Sequence, residues 1–324
     1  MSLTGAETDA LTSLPPPVDP DRRRKRRRSR GGARGGAASL FALFPIVFLA
    51  VFGGLPIVLS LFLVLGHLGG LNSAVSELGQ GEFAGHGIGT LHAITNTISS
   101  PGYVKSVVAT LIVLGITSAV VLLGGAMLTI WHRLRPSRPT AILQFVSVIP
   151  LFIPVVIASF ALWDFWGDRG FADSLGNDVG LNHTFVFSQT IKGVVLAEVW
   201  VSLPFAVLLL RAGLGGLSQS SLDAARDAGA GAWVVASRIV VPQIRRELTI
   251  VFCFTAVGVL GSFTVPYIIG PASPLLLGVN AVETFTAYNE PQQAAVIGFT
   301  IFVLAGFIGC LYALGTKRRR VPVH

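Results

Sequence analysis

Residues 193–210 (GVVLAEVWVSLPFAVLLL) form an apolar run that gives way to a polar stretch. That stretch contains Leu222-Asp223-Ala224-Ala225-Arg226-Asp227-Ala228-Gly229-Ala230 and then Ile239-Val240-Val241-Pro242. The alternation of long apolar runs with short polar connections decides the fold. A span of the hydrocarbon core needs roughly 20 mostly apolar residues, and residues 39–66, 106–131, 141–163, 193–210, 249–269 and 294–314 are such stretches. Each is too long for a buried strand, and the period-2 alternation of a membrane barrel is absent. In lipid the backbone must satisfy its own polar groups, which leaves helices. The expected fold class is therefore all-α, a polytopic membrane protein with about six transmembrane helices.

Composition supports this. Of 324 residues, 52% are hydrophobic and 12% charged, about half the charge of a typical soluble domain. Mean hydropathy is +0.70. The net charge of +8 does not indicate nucleic acid, because of where it sits. Nine Lys/Arg lie between Arg22 and Arg34 and four between Lys317 and Arg320. No interleaving of basic and aromatic residues marks a nucleic-acid face.

Counting Lys and Arg by connection orients the chain. The N-terminal tail, the second-to-third connection (Arg133, Arg135, Arg138), the fourth-to-fifth (Arg211, Arg226, Arg238, Arg245, Arg246) and the C-terminal tail hold 21 of the 24. Both termini are predicted cytoplasmic, in the cell membrane. The opposite connections carry acids, among them Glu77, Glu82, Asp164, Asp168, Asp173, Asp178, Glu283 and Glu290. Residues 1–38, with a triple proline, an arginine run and glycine repeats, read as a disordered basic tail that meets anionic headgroups of membrane lipid. Residues 39–316 form the transmembrane domain and 317–324 a second basic tail.

The connection 211–247 is too long for a tight turn. Ser220 three residues before Asp223 reads as a variant capping box. Gly229 interrupts the helical pattern and permits a bend, and Pro242 marks a further break. A short helix, a glycine bend and a second helix along the membrane surface are expected. The spacing Asp223-Ala224-Ala225, three residues, Gly229-Ala230, nine residues between Gly229 and Ile239, one residue, Val241-Pro242 resembles the cytoplasmic "EAA" loop of the permease subunits of binding-protein-dependent ABC importers. Asp stands for Glu and Val for Leu. Trp200 and Leu203-Pro204-Phe205 are similar to the preceding span of that family. Gly261-Ser262-Phe263-Thr264-Val265-Pro266-Tyr267, Gly270-Pro271 and Leu277-Gly278-Val279 look like its polyamine, aminoethylphosphonate, iron and thiamine branch.

The resemblance implies a transport subunit with no catalytic residues. A cytoplasmic ATPase dimer would bind the ATP and push on the loop through Asp223, Ala224, Ala225, Gly229, Ala230, Ile239 and Pro242. It also implies a second permease, related or identical, and an extracellular substrate-binding protein. The chain has no phosphate-binding Gly-x-x-x-x-Gly-Lys-Ser/Thr of its own. No metal or cofactor is expected in it. The alternatives are a stand-alone channel or secondary transporter, a scaffold, or an importer for iron, thiamine or sugar.

Inside the spans Glu198 is the one acid. Such residues face a cavity or a partner by default, so Glu198 is either a contact in the solute path or a structural hydrogen-bonding group. Trp200, Pro204, Phe263 and Pro266 are candidates for the same path, because broken helices often line transporter pathways. Pro150, Pro154, Pro204 and Pro266 lie in or near spans and are expected to kink them. Trp163, Phe165 and Trp166 are expected as interfacial anchors.

Overall fold

A computed structural model of the protein describes residues 43–65, 90–178, 180 and 185–316. The two basic tails and the acidic Glu77 and Glu82 lie outside the described residues. Two compact units divide between Leu59 and Ser60. The apolar helix α1 (Leu43–Val64) runs through that boundary. It contains a π-helical turn at Ala50–Gly54 and a stack of Phe48 on Phe52, with ring centroids 4.6 Å apart.

In the second unit α2 (Thr90–Ser99) leads into α3 (Pro101–Leu134), the longest helix among the described residues. Ser100 caps α3 by accepting from the Tyr103 amide at 3.2 Å, and Pro101 occupies the first turn, where a missing N–H costs nothing. Arg133 lies in the last turn, the sign of charge that the helix dipole favours there. α4 (Arg138–Val146), a 3-10 turn (Ile149–Phe152), α5 (Val155–Phe165) and α6 (Phe171–Asp178) follow. Next come α7 (Ile191–Gly215), capped by Thr190 on the Gly193 amide, and α8 (Gln219–Asp227). After α9 (Ala232–Val235), a π-helical turn (Ala236–Val240) and α10 (Val241–Gln243) comes α11 (Arg245–Leu260). The chain continues through α12 (Thr264–Ile269), α13 (Leu277–Thr286) and α14 (Pro291–Thr316). No strand occurs among the described residues. The protein is an all-α polytopic membrane protein.

Two of the expected spans are broken among the described residues. Among the described residues four helices are long and apolar enough to cross a membrane, α1, α3, α7 and α14, and a fifth span results if the bent pair described next is counted as one. The expected third span, 141–163, is instead a bent pair, Arg138–Phe152 and Val155–Phe165, turned by 113°. Pro154 is the cause: its ring disfavours the helical region for the residue before it, and Ile153 is extended at φ −101°, ψ 123°. The expected fifth span, 249–269, is two helices. α11 has 16 residues, a rise of about 24 Å at 1.5 Å per residue. It ends at Gly261, and the chain restarts as α12. Pro266 is the third residue of α12, a position whose N–H has no helical partner anyway. The proline therefore opens a new helix rather than kinking an old one.

The core lies along α3 and α7. Val113, Val194 and Ala197 pack with Val259 of α11 and Val265 and Ile269 of α12. Toward the other end Val121 and Ile130 pack with Ala206 and Leu210. The far side of α3 is tied to α13: the Leu277 amide donates to Thr110 Oγ1 at 2.9 Å, and Asn280 Nδ2 to Ser106 Oγ at 3.1 Å. Tyr103 Oη and Thr300 Oγ1 of α14 are 2.8 Å apart.

Candidate functional site: a bent polar loop on a helical bundle

The connection 211–247 folds as the expected helix, bend and second helix. Ser220 is not its cap. It lies inside α8, whose first residue is Gln219, and Ser218 takes the capping position with its hydroxyl 2.6 Å from that of Ser220. The capping-box reading fails because the helix starts one residue before Ser220. At the other end Gly229 has φ +77°, a left-handed conformation that costs an L-residue roughly 1–2 kcal/mol. Nothing lies within 4 Å of where its side chain would be. Glycine is required there by the backbone, not by crowding.

The loop's two ends are held together. A β-carbon on Gly213, near the end of α7, would lie 2.5 Å from Glu247 Cγ at the start of α11. The glycine leaves the room that the Glu247 side chain occupies. Between them, the loop divides into buried and exposed faces. Leu222 is 1% exposed and joins the cluster of Ile130, Leu134, Leu210 and Leu214. Val235, Val240 and Ile244 join the same cluster, with Ala225, Ala230 and Ile239 packed on it. Asp223, Ala224, Gly229 and Pro242 face outward. The motif residues thus separate into anchors (Ala225, Ala230, Ile239) and an exposed face (Asp223, Ala224, Gly229, Pro242). Trp233 is the most exposed large side chain of this region at 82%.

Polar contacts fix α8 on the end of α3. Arg226 Nη2 donates to the Leu134 carbonyl at 2.8 Å. Arg226 Nη1 meets Asp223 Oδ1 at 3.3 Å, and Gln219 Nε2 donates to the same oxygen at 3.0 Å. Arg133 Nη1 donates to Gln219 Oε1 at 2.8 Å. Hydrogen bonds to charged groups contribute roughly 1.5–3 kcal/mol when sheltered. The exposed Asp223–Arg226 pair by itself contributes about 0–1 kcal/mol. The sequence alone gave no sign that Arg226 reaches α3, because the two segments are 92 positions apart.

The residues expected in a solute path are partly brought together. Glu198 is 4% exposed and points into the bundle, with Ser262 of the α11–α12 break beside its carboxyl. Its Oε1 has no hydrogen-bond partner among the described residues. Pro266 is buried and Phe263 half-buried, its ring stacked on Tyr267 at 5.0 Å. Pro204 is buried inside an uninterrupted α7, and Trp200 is half-buried. Glu198 and the 262–266 break therefore share one region, with Trp200 and Pro204 further along α7. An open, almost wholly apolar groove of about 350 Å3 is lined by Val120, Phe187, Lys192, Val195, Leu196 and Val199. None of the expected path residues lines it. Trp166 packs on Phe165 and Phe187 at 4.9 and 5.2 Å. Among the described residues no group of three His, Cys, Asp or Glu could hold a metal ion.

Residues 112–320 match the family described as "Binding-protein-dependent transport system inner membrane component". The spermidine/putrescine transport system permease protein PotB of Haemophilus influenzae is 28% identical over 219 residues, covering 66% of this chain and 76% of that protein. The molybdenum transport system permease protein ModB of Azotobacter vinelandii is 28% identical over 211 residues, 65% of this chain and 92% of that protein. A probable sulfate transport system permease protein of Chlorella vulgaris is 28% identical over 162 residues, and the match spans 59% of its length. The fold is also that of a chain in the crystal structure of a bacterial ABC transporter involved in import of the acidic polysaccharide alginate. The TM-score is 0.68 at 15% identity, over 90% of this chain and all of the other. With a helical bundle, a bent polar loop seated on it and a family match over residues 112–320, the chain belongs to the inner membrane components of binding-protein-dependent transport systems.

Proposed function

We propose that the chain is the permease subunit of an ABC importer. In this reading it forms the solute pathway and receives force from a separate cytoplasmic ATPase dimer through residues 217–242. ATP binds to that partner, and a second permease and an extracellular substrate-binding protein complete the transporter. Both termini face the cytoplasm. The observation that carries the reading is the geometry of the loop: a left-handed Gly229 between two short helices, one face locked into the bundle and the motif acid on the other. A scaffold or a stand-alone carrier needs no such element.

For the solute, a small organic cation such as a polyamine is favoured over an oxyanion, with an aminophosphonate as the neighbouring possibility. PotB is named for spermidine and putrescine, but ModB is named for molybdenum. What separates them is the charge inside the bundle. Across residues 106–131, 193–210, 249–260 and 294–314 the one ionisable acid or base of the Asp, Glu, Lys and Arg types is Glu198. A buried carboxyl suits an ammonium group and repels an oxyanion.

Affinity purification of the chain from membranes tests the first part. Recovery with a soluble ATPase of the phosphate-binding-loop type is expected, and a solitary, active protein would overturn it. Uptake of labelled putrescine, molybdate and sulfate by cells with and without the gene tests the solute. Loss of putrescine uptake alone is expected; loss of molybdate or sulfate uptake would replace the cation with an oxyanion.

A further inference from the structure

The free end of α3 is where the loop meets the bundle. A helix leaves its last four carbonyls without intrahelical partners. Here the Trp131 carbonyl is taken by the Arg135 amide at 2.8 Å, and the Leu134 carbonyl by Arg226 Nη2 at 2.8 Å. One turn of α3 therefore carries three links. Arg133 reaches Gln219 of α8, Leu134 receives Arg226 of α8, and His132 Nδ1 lies 2.7 Å from Thr140 Oγ1 of α4.

The nature of these links matters. Leu222 holds α8 down through non-directional apolar contact, which resists lifting but permits sliding and rotation. A guanidinium is a planar fork with fixed donor directions. One arm of Arg226 meets Asp223 Oδ1 and the other the Leu134 carbonyl. The fork thus fixes the rotation of α8 relative to the axis of α3, and its positive charge sits at the negative end of that helix's dipole. Asp223 in turn holds the fork in place.

We propose that Arg226 is the positioning residue that passes movement of the loop to α3, and that Asp223 acts first within this chain, by orienting Arg226. α3 is then the lever. Its 34 residues pack against α7 and α11 and bond to α13, so a rotation at Leu134 reaches the region of Glu198. The proposal rests on the reading of the loop as the ATPase contact.

Hydrogen–deuterium exchange on the chain in its membrane-extracted ATPase complex tests it, comparing ADP with ATP plus vanadate. In the unaltered complex, protection changes are expected both in 219–227 and in 120–135. In Arg226→Ala the change in 219–227 is expected to persist and that in 120–135 to be lost. Arg226→Lys, which keeps one donor for the Leu134 carbonyl, is expected to restore it in part, a rescue that a purely structural defect would not show. An Arg226→Ala complex that retains the ATPase and responds normally in both segments overturns the proposal. So does loss of ATPase binding by both variants, which would make Arg226 a docking residue. Failure of the unaltered chain to bring down any ATPase is a different result and overturns the loop reading instead.

Discussion

The loop around Gly229 and the bent segment around Pro154 are both interrupted helices, and they are held in opposite ways. At Gly229 the backbone needs a left-handed residue, and the pieces on either side are pinned by buried Leu222 and by the fork of Arg226. At Pro154 the bend follows from the proline ring, while Phe145, Leu151 and Phe152 stand 72%, 54% and 80% exposed. Exposed charged residues together with the exposed Trp233, beside buried anchors, suit a surface that is pushed by a soluble partner. Apolar exposure beside a stiff bend suits contact with lipid or another membrane helix. The two bends thus differ in what they can transmit. The first is pinned to α3; the second is a shape built into the chain.

The largest expected effect tests the anchors. Leu222→Ala removes a fully buried side chain, a change that costs about 2–5 kcal/mol. Amides in 219–227 should exchange at least tenfold faster while those of α3 and α7 keep their protection. Phe152→Ala should change stability by about 0.5 kcal/mol or less, as exposed substitutions do, in a thermal melt followed by tryptophan fluorescence. Equal effects at the two sites would erase the contrast.

Next come the bends themselves. Gly229→Ala forces an L-residue to φ +77°, at roughly 1–2 kcal/mol, and Gly229→Asp adds charge at the same point. Both should uncouple ATP hydrolysis from uptake, the aspartate variant more completely. Normal uptake at normal expression would remove Gly229 from the coupling role. Pro154→Ala should let Ile153 return toward helix and open the 113° bend. Distances between spin labels at positions 142 and 160 would lengthen, with no change in the ATP hydrolysed per solute moved.

Glu198→Gln asks whether the polar interior belongs to either region. The substitution keeps shape and removes charge. On the cation reading it should lower uptake severalfold without altering the melt or the recovery of the ATPase. Unchanged affinity and rate would leave Glu198 a structural group beside Ser262.

Much of this was legible in the residues. The spans centred on α3, α7 and α14 are long, carry no charged type but Glu198 and are uninterrupted, so hydropathy alone finds them. The loop was legible because its glycine and proline occur at a fixed spacing and because polar residues between apolar runs stand out. The two broken runs have one origin. The runs 141–163 and 249–269 are as apolar as the true single helices, and hydropathy does not register backbone direction. Whether a proline kinks a helix, ends it or begins a new one depends on its position relative to the first turn: Pro204 sits inside an unbroken α7, Pro154 ahead of α5, and Pro266 within the opening turn of α12. Nor could pattern alone show that Arg226 reaches Leu134, or that Ser262 comes beside Glu198, since both depend on tertiary packing.

The smallest expected effect carries the finest distinction. Asp223→Glu restores the acid usual in the motif that this loop resembles. If the carboxylate served only to reach a groove on the ATPase, one added methylene would matter there, and coupling would change. If its first task is to hold Arg226, geometry within α8 decides. Positions 223 and 226 are three apart and share a face of the helix, and a glutamate spans that separation as readily as an aspartate. The exposed pair contributes about 0–1 kcal/mol, so any change should stay within a few tenths. The expected result is an unaltered melt, unaltered exchange in 219–227 and an unaltered ratio of ATP hydrolysed to solute moved. Asp223→Ala, by contrast, frees the fork and should reproduce a fraction of the Arg226→Ala defect. In a double-mutant comparison Asp223→Ala should then add little to Arg226→Ala, because both substitutions break one link between the loop and α3.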